Sequence, residues 1–251
     1  MSWTQNLTPE KDGIFCSLIV PCYNEERNLA PFAGAFSAAL KNTDIEVILV
    51  NNGSTDGSAA VLGSLLREYP FLRSVAVPVN RGYGHGILEG LKAARGTVLG
   101  WAHGDLQYSP GDLAAAAEEL RPLRHEKFFY KGLRRGRPVA DRIFTSGMAF
   151  FESALLGLRL SDINAQPTFF HRSLTATFAV PPEDFSLDLY AYACAVKNGF
   201  KVRRGSITLK ERAAGTSSWN RGLGDRVKLI KRTIAASLTI RKELARPGRQ
   251  Q

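Results

Sequence analysis

No run of about 18 consecutive apolar residues occurs anywhere in the sequence, so no membrane-crossing helix is expected. The opening stretch, MSWTQNLTPEKDG, lacks the apolar core of a secretory signal. Cysteine is scarce. Cys16, Cys22 and Cys194 are an odd number without metal-ligand spacing, which argues against a disulfide framework and for reduced thiols, mostly in the core of a cytoplasmic protein. Without an export signal, the Asn6-Leu7-Thr8 and Asn52-Gly53-Ser54 sequons carry no expectation of glycosylation. Internal repeats, low-complexity segments and a clear interdomain linker are also missing.

What is present is a chain of 251 residues, 44% of them hydrophobic, which suits one domain of good size with a tail. The net charge of +10 is unevenly spread. From Arg221 to the end, nine basic residues face only Asp225 and Glu243, leaving +7 in that stretch. Lys131, Arg134, Arg135 and Arg137 form a second basic cluster. Such clusters attract polyanions: phosphates, nucleic acid or an anionic membrane surface. No nucleic-acid-binding motif accompanies them, so nucleic acid is not an expected partner.

The first half alternates between two hydrophobic periods. Ser17 to Pro21, Ile45 to Val50, Ser74 to Val79 and Val98 to Ala102 read as buried strands. Between them, Glu26 to Leu40, the stretch after Ser54, and His85 to Ala94 have helical spacing, and another helix is expected near Asp112 to Leu120. Strand and helix in strict turn predict an α/β fold with a mostly parallel central sheet flanked by helices. The second half is less regular, with strands expected at Phe128 to Gly132 and Lys201 to Leu209 and helices at Ile143 to Leu158 and Phe185 to Lys197.

Each of the four early strands ends in a polar cluster: PCYNE from Pro21, NNGSTDG from Asn51, NRGYGHG from Asn80, and HGDLQ from His103. One such cluster is ordinary loop chemistry. Four on successive parallel strands share the sheet's carboxyl rim, where ligands of α/β proteins bind. In the last, Asp105 beside Gly104 is a candidate for holding a hard cation and a diphosphate. GYGHG is not the complete G-x-G-x-x-G pattern and follows the third strand, which argues against a dehydrogenase.

The motifs IVPCYNEERNL, VILVNNGSTDGS, NRGYGHGILEGLKAARG and HGDLQYSP, in this order over roughly the first 120 residues, resemble family 2 glycosyltransferases of GT-A fold. YKGLRRGR, DINAQPTFFHR, FSLDLYAYACAVKNGFKV and ERAAGTSSW more loosely resemble the polyprenyl-phosphate sugar synthases of that family, the dolichyl-phosphate mannose synthases among them. The resemblance implies a GT-A domain over residues 1–220. Its nucleotide-sugar half is 14–120 and its acceptor half 121–220, with a basic tail over 221–251.

By the same resemblance, Pro21, Tyr23, Asn24, Glu25, Asn51, Gly53, Ser54, Gly82, Gly84, Gly104 and Asp105 bind a UDP- or GDP-linked sugar. Tyr23 could equally be an aromatic packing at a strand end. Asp105 and Gln107, with His103, hold Mg²⁺ or Mn²⁺. The sequence departs from the family at His103, the first acid of Asp-x-Asp, and at Asn51-Asn52, where the family has Asp-Asp. An amide donates as well as accepts, which leaves the nucleobase open. His103 either ligates, favouring Mn²⁺, or only hydrogen-bonds in the rim.

Lys131, Arg134, Arg137, Gln166, Arg212, Ser217 and Ser218 are the implied acceptor contacts, with Asp105, Asp188 and Arg212 the catalytic set. The implied reaction is inverting transfer to a polyprenyl phosphate, which needs no strong base because the phosphate is already ionised. A sugar hydroxyl acceptor needs one, with Asp188 or Asp162 the candidates. Asp188 could equally be structural. A non-catalytic nucleotide-sugar-binding module is the third reading. Leu223, Val227, Ile230, Ile234 and Leu238 make the tail, Gly222 to Arg246, a basic amphipathic helix. It would lie on an anionic bilayer, giving peripheral attachment at the cytoplasmic side, or pack on the domain. A chain with no span of its own would pass its product to a membrane-protein partner.

Overall fold

The computed structural model describes residue 3 and residues 7–11, 13–40, 42, 44–104, 106–135, 139–208 and 223–245. Strand and helix alternate strictly from β1 (Cys16–Cys22) through α1 (Glu26–Ala39), β2 (Ile45–Asn52), α2 (Ser58–Glu68), β3 (Leu72–Val77), α3 (Tyr83–Ala93) and β4 (Val98–Trp101) to α4 (Pro110–Glu119). Then follow β5 (Phe128–Arg135), α5 (Val139–Leu156), β6 (Thr168–His171), α6 (Leu187–Lys197), β7 (Lys201–Thr208) and α7 (Leu223–Ala245). The strands form one sheet in the order β3-β2-β1-β4-β6-β5-β7. The expected mostly parallel, helix-flanked α/β sheet is what the chain forms. Among the described strands only β6 runs antiparallel, against both β4 and β5.

Burial on both faces explains the continuous apolar runs of β1 and β2. Successive β1 side chains point to opposite faces. Leu18 and Val20 join Phe32, Phe36 and Leu49 in one core layer, whereas Ile19 joins Val50, Leu91, Trp101 and Phe170 in the other. All three cysteines are free and buried. Burial pushes the Cys194 thiol up to about 11 and those of Cys16 and Cys22 further.

The third strand and β6 differ from expectation for identifiable reasons. The third strand runs from Leu72 to Val77 rather than from Ser74 to Val79. Leu72 pairs with Val47 under the α2 layer, and Pro78, with no N–H to give, ends the ladder. β6 was not expected at all. Its four residues, TFFH, are too short to show a period, and its place between β4 and β5 comes from long-range pairing of Phe170 with Leu99 and Phe129.

The tail helix forms nearly over its expected span and packs on the domain. Ser237 and Ile240 are buried, Leu244 packs against the second core layer, and Arg232 pairs with Asp184 at 2.9 Å. Among the described residues, no helix is long and apolar enough to cross a membrane.

Candidate active site

The strand order places a crevice. The chain steps outward from β1 to β2 and β3, then returns to β4 on the other side of β1. At such a reversal the loops leaving the two central strands diverge and open a cleft at their carboxyl ends. The β1 loop brings Tyr23, Asn24 and Glu25 to this point, and the β4 loop brings His103, Gly104, Leu106 and Gln107.

The loops after β1 and β2 are stitched together. Asn24 has φ 56°, a left-handed conformation asparagine tolerates better than most residues. Its N–H donates to Ser54 Oγ at 3.1 Å, and its Oδ1 accepts from the Thr55 N–H at 2.8 Å. The Glu25 N–H donates to Ser58 Oγ at 3.1 Å, and Asn51 Oδ1 accepts from the Ser54 N–H at 3.1 Å. Asn24, Glu25, Asn51 and Ser54 therefore form one rigid lip. Tyr23, beside Pro21 at its edge, is 47% exposed, a ring presented to solvent rather than packed as a strand-end aromatic.

The glycines expected against the donor have a packing reason in this structure. A Cβ on Gly53 (φ +72°) would lie 2.4 Å from the Asn80 nitrogen. One on Gly84 would lie 2.5 Å from the Asp184 carbonyl oxygen, and one on Gly82 2.9 Å from that of Glu183. The His85 N–H donates to the same Glu183 oxygen at 2.8 Å, so the start of α3 is docked onto the segment before α6. Gly104 lies against the Val20 side chain.

That docking assembles an aromatic stack absent from the sequence expectations. Tyr83 is sandwiched between His103, at 4.9 Å between ring centroids, and Phe185, at 4.7 Å and only 10° from parallel. The three residues come from the starts of α3 and α6 and from the β4 loop. The aromatic within NRGYGHG was the one local sign of it.

Beneath the stack lies a buried polar network centred on Asp188. Its Oδ1 accepts from Lys131 Nζ at 2.7 Å, Gln166 Nε2 at 3.1 Å, Trp101 Nε1 at 3.3 Å and Thr168 Oγ1 at 3.3 Å. Gln166 Nε2 also donates to the Tyr83 hydroxyl at 3.0 Å, which ties the network to the stack. The Gln166–Pro167 bond is cis. Lys131, expected at the acceptor phosphate, is fully buried, and its ammonium serves Asp188 and Thr168 instead. Asp188, the candidate base, is 3% exposed and accepts from these four donors. Asp162 takes φ 40° at the head of the loop leading to β6.

Asp105, Arg137, Arg212, Ser217 and Ser218 lie outside the described residues, and Arg134 lies in β5 without a described side chain. His103 and Gln107 are half-buried on either side of Asp105. Among the described residues, no group of three His, Cys, Asp or Glu side chains could hold a metal ion. The donors this loop offers are one carboxylate, one amide oxygen and one imidazole. They fit a cation that takes its other ligands from water and phosphate oxygens.

The fold defines a GT-A-like α/β protein with a crevice at the carboxyl ends of its central strands. The model of the Glycosyl transferase family 2 matches residues 17–163, more than half of the chain, and the chain belongs to this family. It is 32% identical over 161 residues to a dolichol-phosphate mannosyltransferase of Mycosarcoma maydis, covering 58% of this chain and 51% of the relative. Over 240 residues it is 26% identical to a dodecaprenyl-phosphate galacturonate synthase of Rhizobium johnstonii, covering 92% and 69%. An undecaprenyl-phosphate 4-deoxy-4-formamido-L-arabinose transferase of Enterobacter is 33% identical over 133 residues, 47% of this chain and 40% of the relative. The chain thus spans about half the length of several curated relatives it matches. In fold it is similar to a glucosyl-3-phosphoglycerate synthase from Mycobacterium tuberculosis, solved with Mn²⁺, uridine diphosphate and glucosyl-3-phosphoglycerate. That likeness has TM-score 0.68 at 17% identity and covers 92% of this chain and 81% of the other.

Proposed function

We propose that this protein transfers a glycosyl group, with inversion, from a nucleoside-diphosphate sugar to a polyprenyl phosphate at the cytoplasmic face of a membrane. The observation that carries the reading is the lip of Tyr23, Asn24, Glu25 and Asn51 facing the His103–Gln107 loop across the β1/β4 crevice, in a family whose similar members are named for polyprenyl-phosphate acceptors.

In this reading the exposed Tyr23 ring covers the nucleobase, and Asn51 meets its edge. Asp105 and Gln107 would hold a divalent cation with the donor's diphosphate, and His103 flanks them. Such a cation, when bound, neutralises the charge that builds on the leaving diphosphate. The Tyr83 stack supports the sugar side of the cleft, and Gln166, Lys131 and Asp188 keep that stack in place. Arg212 with Ser217 and Ser218, together with Arg134 and Arg137, supplies positive charge for the acceptor phosphate.

The chemistry needs no proton removed. A phosphate monoester oxygen, already anionic near neutral pH, attacks the anomeric carbon. The bond from that carbon to the β-phosphate oxygen breaks, and its electron pair leaves with the nucleoside diphosphate. The engagement of Asp188 by four donors speaks against it as the base that a sugar hydroxyl acceptor would need, which leaves Asp162 as the candidate for that reading.

The test is a panel of UDP- and GDP-sugars with Mn²⁺ or Mg²⁺, with and without a short polyprenyl phosphate, beside Asp105→Ala. Lipid-linked product that disappears in the variant is the expected result. Donor binding without turnover on any acceptor would instead support a binding module.

A further inference from the structure

Helix α5 is apolar on two opposite faces, although one face is enough to hold it on the domain. Its inner face buries Ala149 and seats Glu152. On its outer face Val139, Ile143 and Phe150 are 67%, 68% and 78% exposed. Gly147 and Ala154, also exposed, complete the stripe. Steps of four, four, three and four residues keep all five within about 80° of one another around the helix. Leu133, near the end of β5, is exposed too. A stripe of large apolar side chains turned away from the core marks an interaction surface.

We propose that this stripe is the membrane-docking surface of the protein, lying in the interface of an anionic bilayer with α5 parallel to the membrane plane. Charge selects this partner. From Arg134 to Arg142 the chain has Arg134, Arg135, Arg137 and Arg142 against Asp141 alone, a net +3 leading into the stripe. Arg142 is exposed on α5 itself. α7 packs against α5, and the segment containing it carries +7. Basic residues flanking an exposed apolar helix face are what an anionic headgroup layer attracts. A second copy of the chain, itself at +10, would bring like charge against like charge at this surface. With Ser237 and Ile240 of α7 buried on the domain, α5 takes the role the sequence offered to the tail. The inference deepens the polyprenyl-phosphate reading and rests on it for its purpose, but the attraction to a bilayer needs neither donor nor acceptor.

Flotation of the full chain with phosphatidylglycerol-containing vesicles, with pure phosphatidylcholine vesicles as control, tests it without donor or polyprenyl phosphate. The wild type floats with the anionic vesicles and is released by high salt. Ile143→Ser with Phe150→Ser weakens this binding by about 10- to 100-fold. Both side chains are exposed, so the unfolding midpoint stays at the wild-type value, whereas Leu238→Ser on α7 leaves flotation unchanged. Equal flotation of wild type and double variant, or no flotation of the wild type, overturns the proposal. A concentration-dependent dimer in light scattering that the double variant abolishes also overturns it and assigns the stripe to a second copy. Transfer to a short, water-soluble polyprenyl phosphate is measured separately, so loss of the proposed activity and loss of docking are read independently.

Discussion

Lys131 and Asp188 lie 2.7 Å apart, nitrogen to oxygen, with almost no exposure to water. They come from β5 and α6, and Gln166 joins their carboxylate to the Tyr83 hydroxyl at the rim. A charge withdrawn from water is tolerable only beside its counter-charge. The pair is therefore a support for the rim that fails if either partner is removed.

Lys131→Met or Asp188→Leu alone should cost about 3–5 kcal/mol, because each strands the other charge. The double variant should cost clearly less than the sum of the two. Urea unfolding of all four proteins checks this. Additive losses would mean that the two groups do not depend on each other.

How much of this could be read in the sequence follows from what each signal needs. The lip of Tyr23, Asn24, Glu25, Asn51 and Ser54 was legible because each cluster directly follows a continuous apolar run that reads as a buried strand. The reason for Gly82 and Gly84 was not, because the backbone they admit belongs to residues 183 and 184, far along the chain. The burial of Lys131, expected at the acceptor phosphate, was hidden for the same cause. A lysine in a basic cluster looks solvated until a carboxylate 57 residues later is brought beside it. The stack of Tyr83 with His103 and Phe185 likewise depends on three separate segments converging.

Asn51 gives a prediction about nucleobase choice. Its Oδ1 is committed to the Ser54 N–H, while its Nδ2 makes no hydrogen bond among the described residues. That amide can donate to an acceptor on a base, which a carboxylate at this position cannot. Asn51→Asp should keep the loop intact, since the oxygen remains, yet shift the preference between UDP- and GDP-linked donors by roughly tenfold or more. Calorimetric titration with both nucleotides on both proteins reads the shift. Unchanged ratios would remove Asn51 from base recognition.

At the opposite end of the sheet, Glu46 is 3% exposed and binds Arg95 at 2.7 Å, Arg73 at 3.2 Å and Ser17 at 2.6 Å. Burial alone would raise its pKa, but the bonds from Ser17 and Arg95 and the charge of Arg73 hold it below the ordinary value. A lowered carboxyl pKa stabilises the fold at neutral pH, and this contribution is lost as pH falls through the folded value. Glu46→Gln should therefore cost about 2–3 kcal/mol at neutral pH and progressively less under acid. Urea unfolding of both proteins from neutral pH down to about pH 2.5, through and below the ordinary carboxyl value, tests this, and a cost that stays constant over that range would rule out the ionised form as its source.

Glu152 behaves in the opposite sense. It sits on the inner face of α5, in a small cavity it shares with Asn164, Phe185, Asp184, Arg232 and Thr233. Burial pushes its carboxyl from an ordinary 4.5 to about 7. The folded chain then keeps a proton that the unfolded chain releases, so stability falls as pH rises from about 4.5 to about 7. Above that window the protein must either ionise a buried acid or hold its proton against solution. Asp184 cannot relieve it, being an acid itself, and its carboxylate already takes the Arg232 guanidinium at 2.9 Å. Glu152→Gln removes the titration while keeping the shape. The variant should be more stable than the wild type by roughly 3 kcal/mol at pH near 8, with most of the difference gone near pH 5. Urea unfolding at the two pH values measures it directly. A gain that is the same at both would trace to packing between α5 and α7 rather than to the proton.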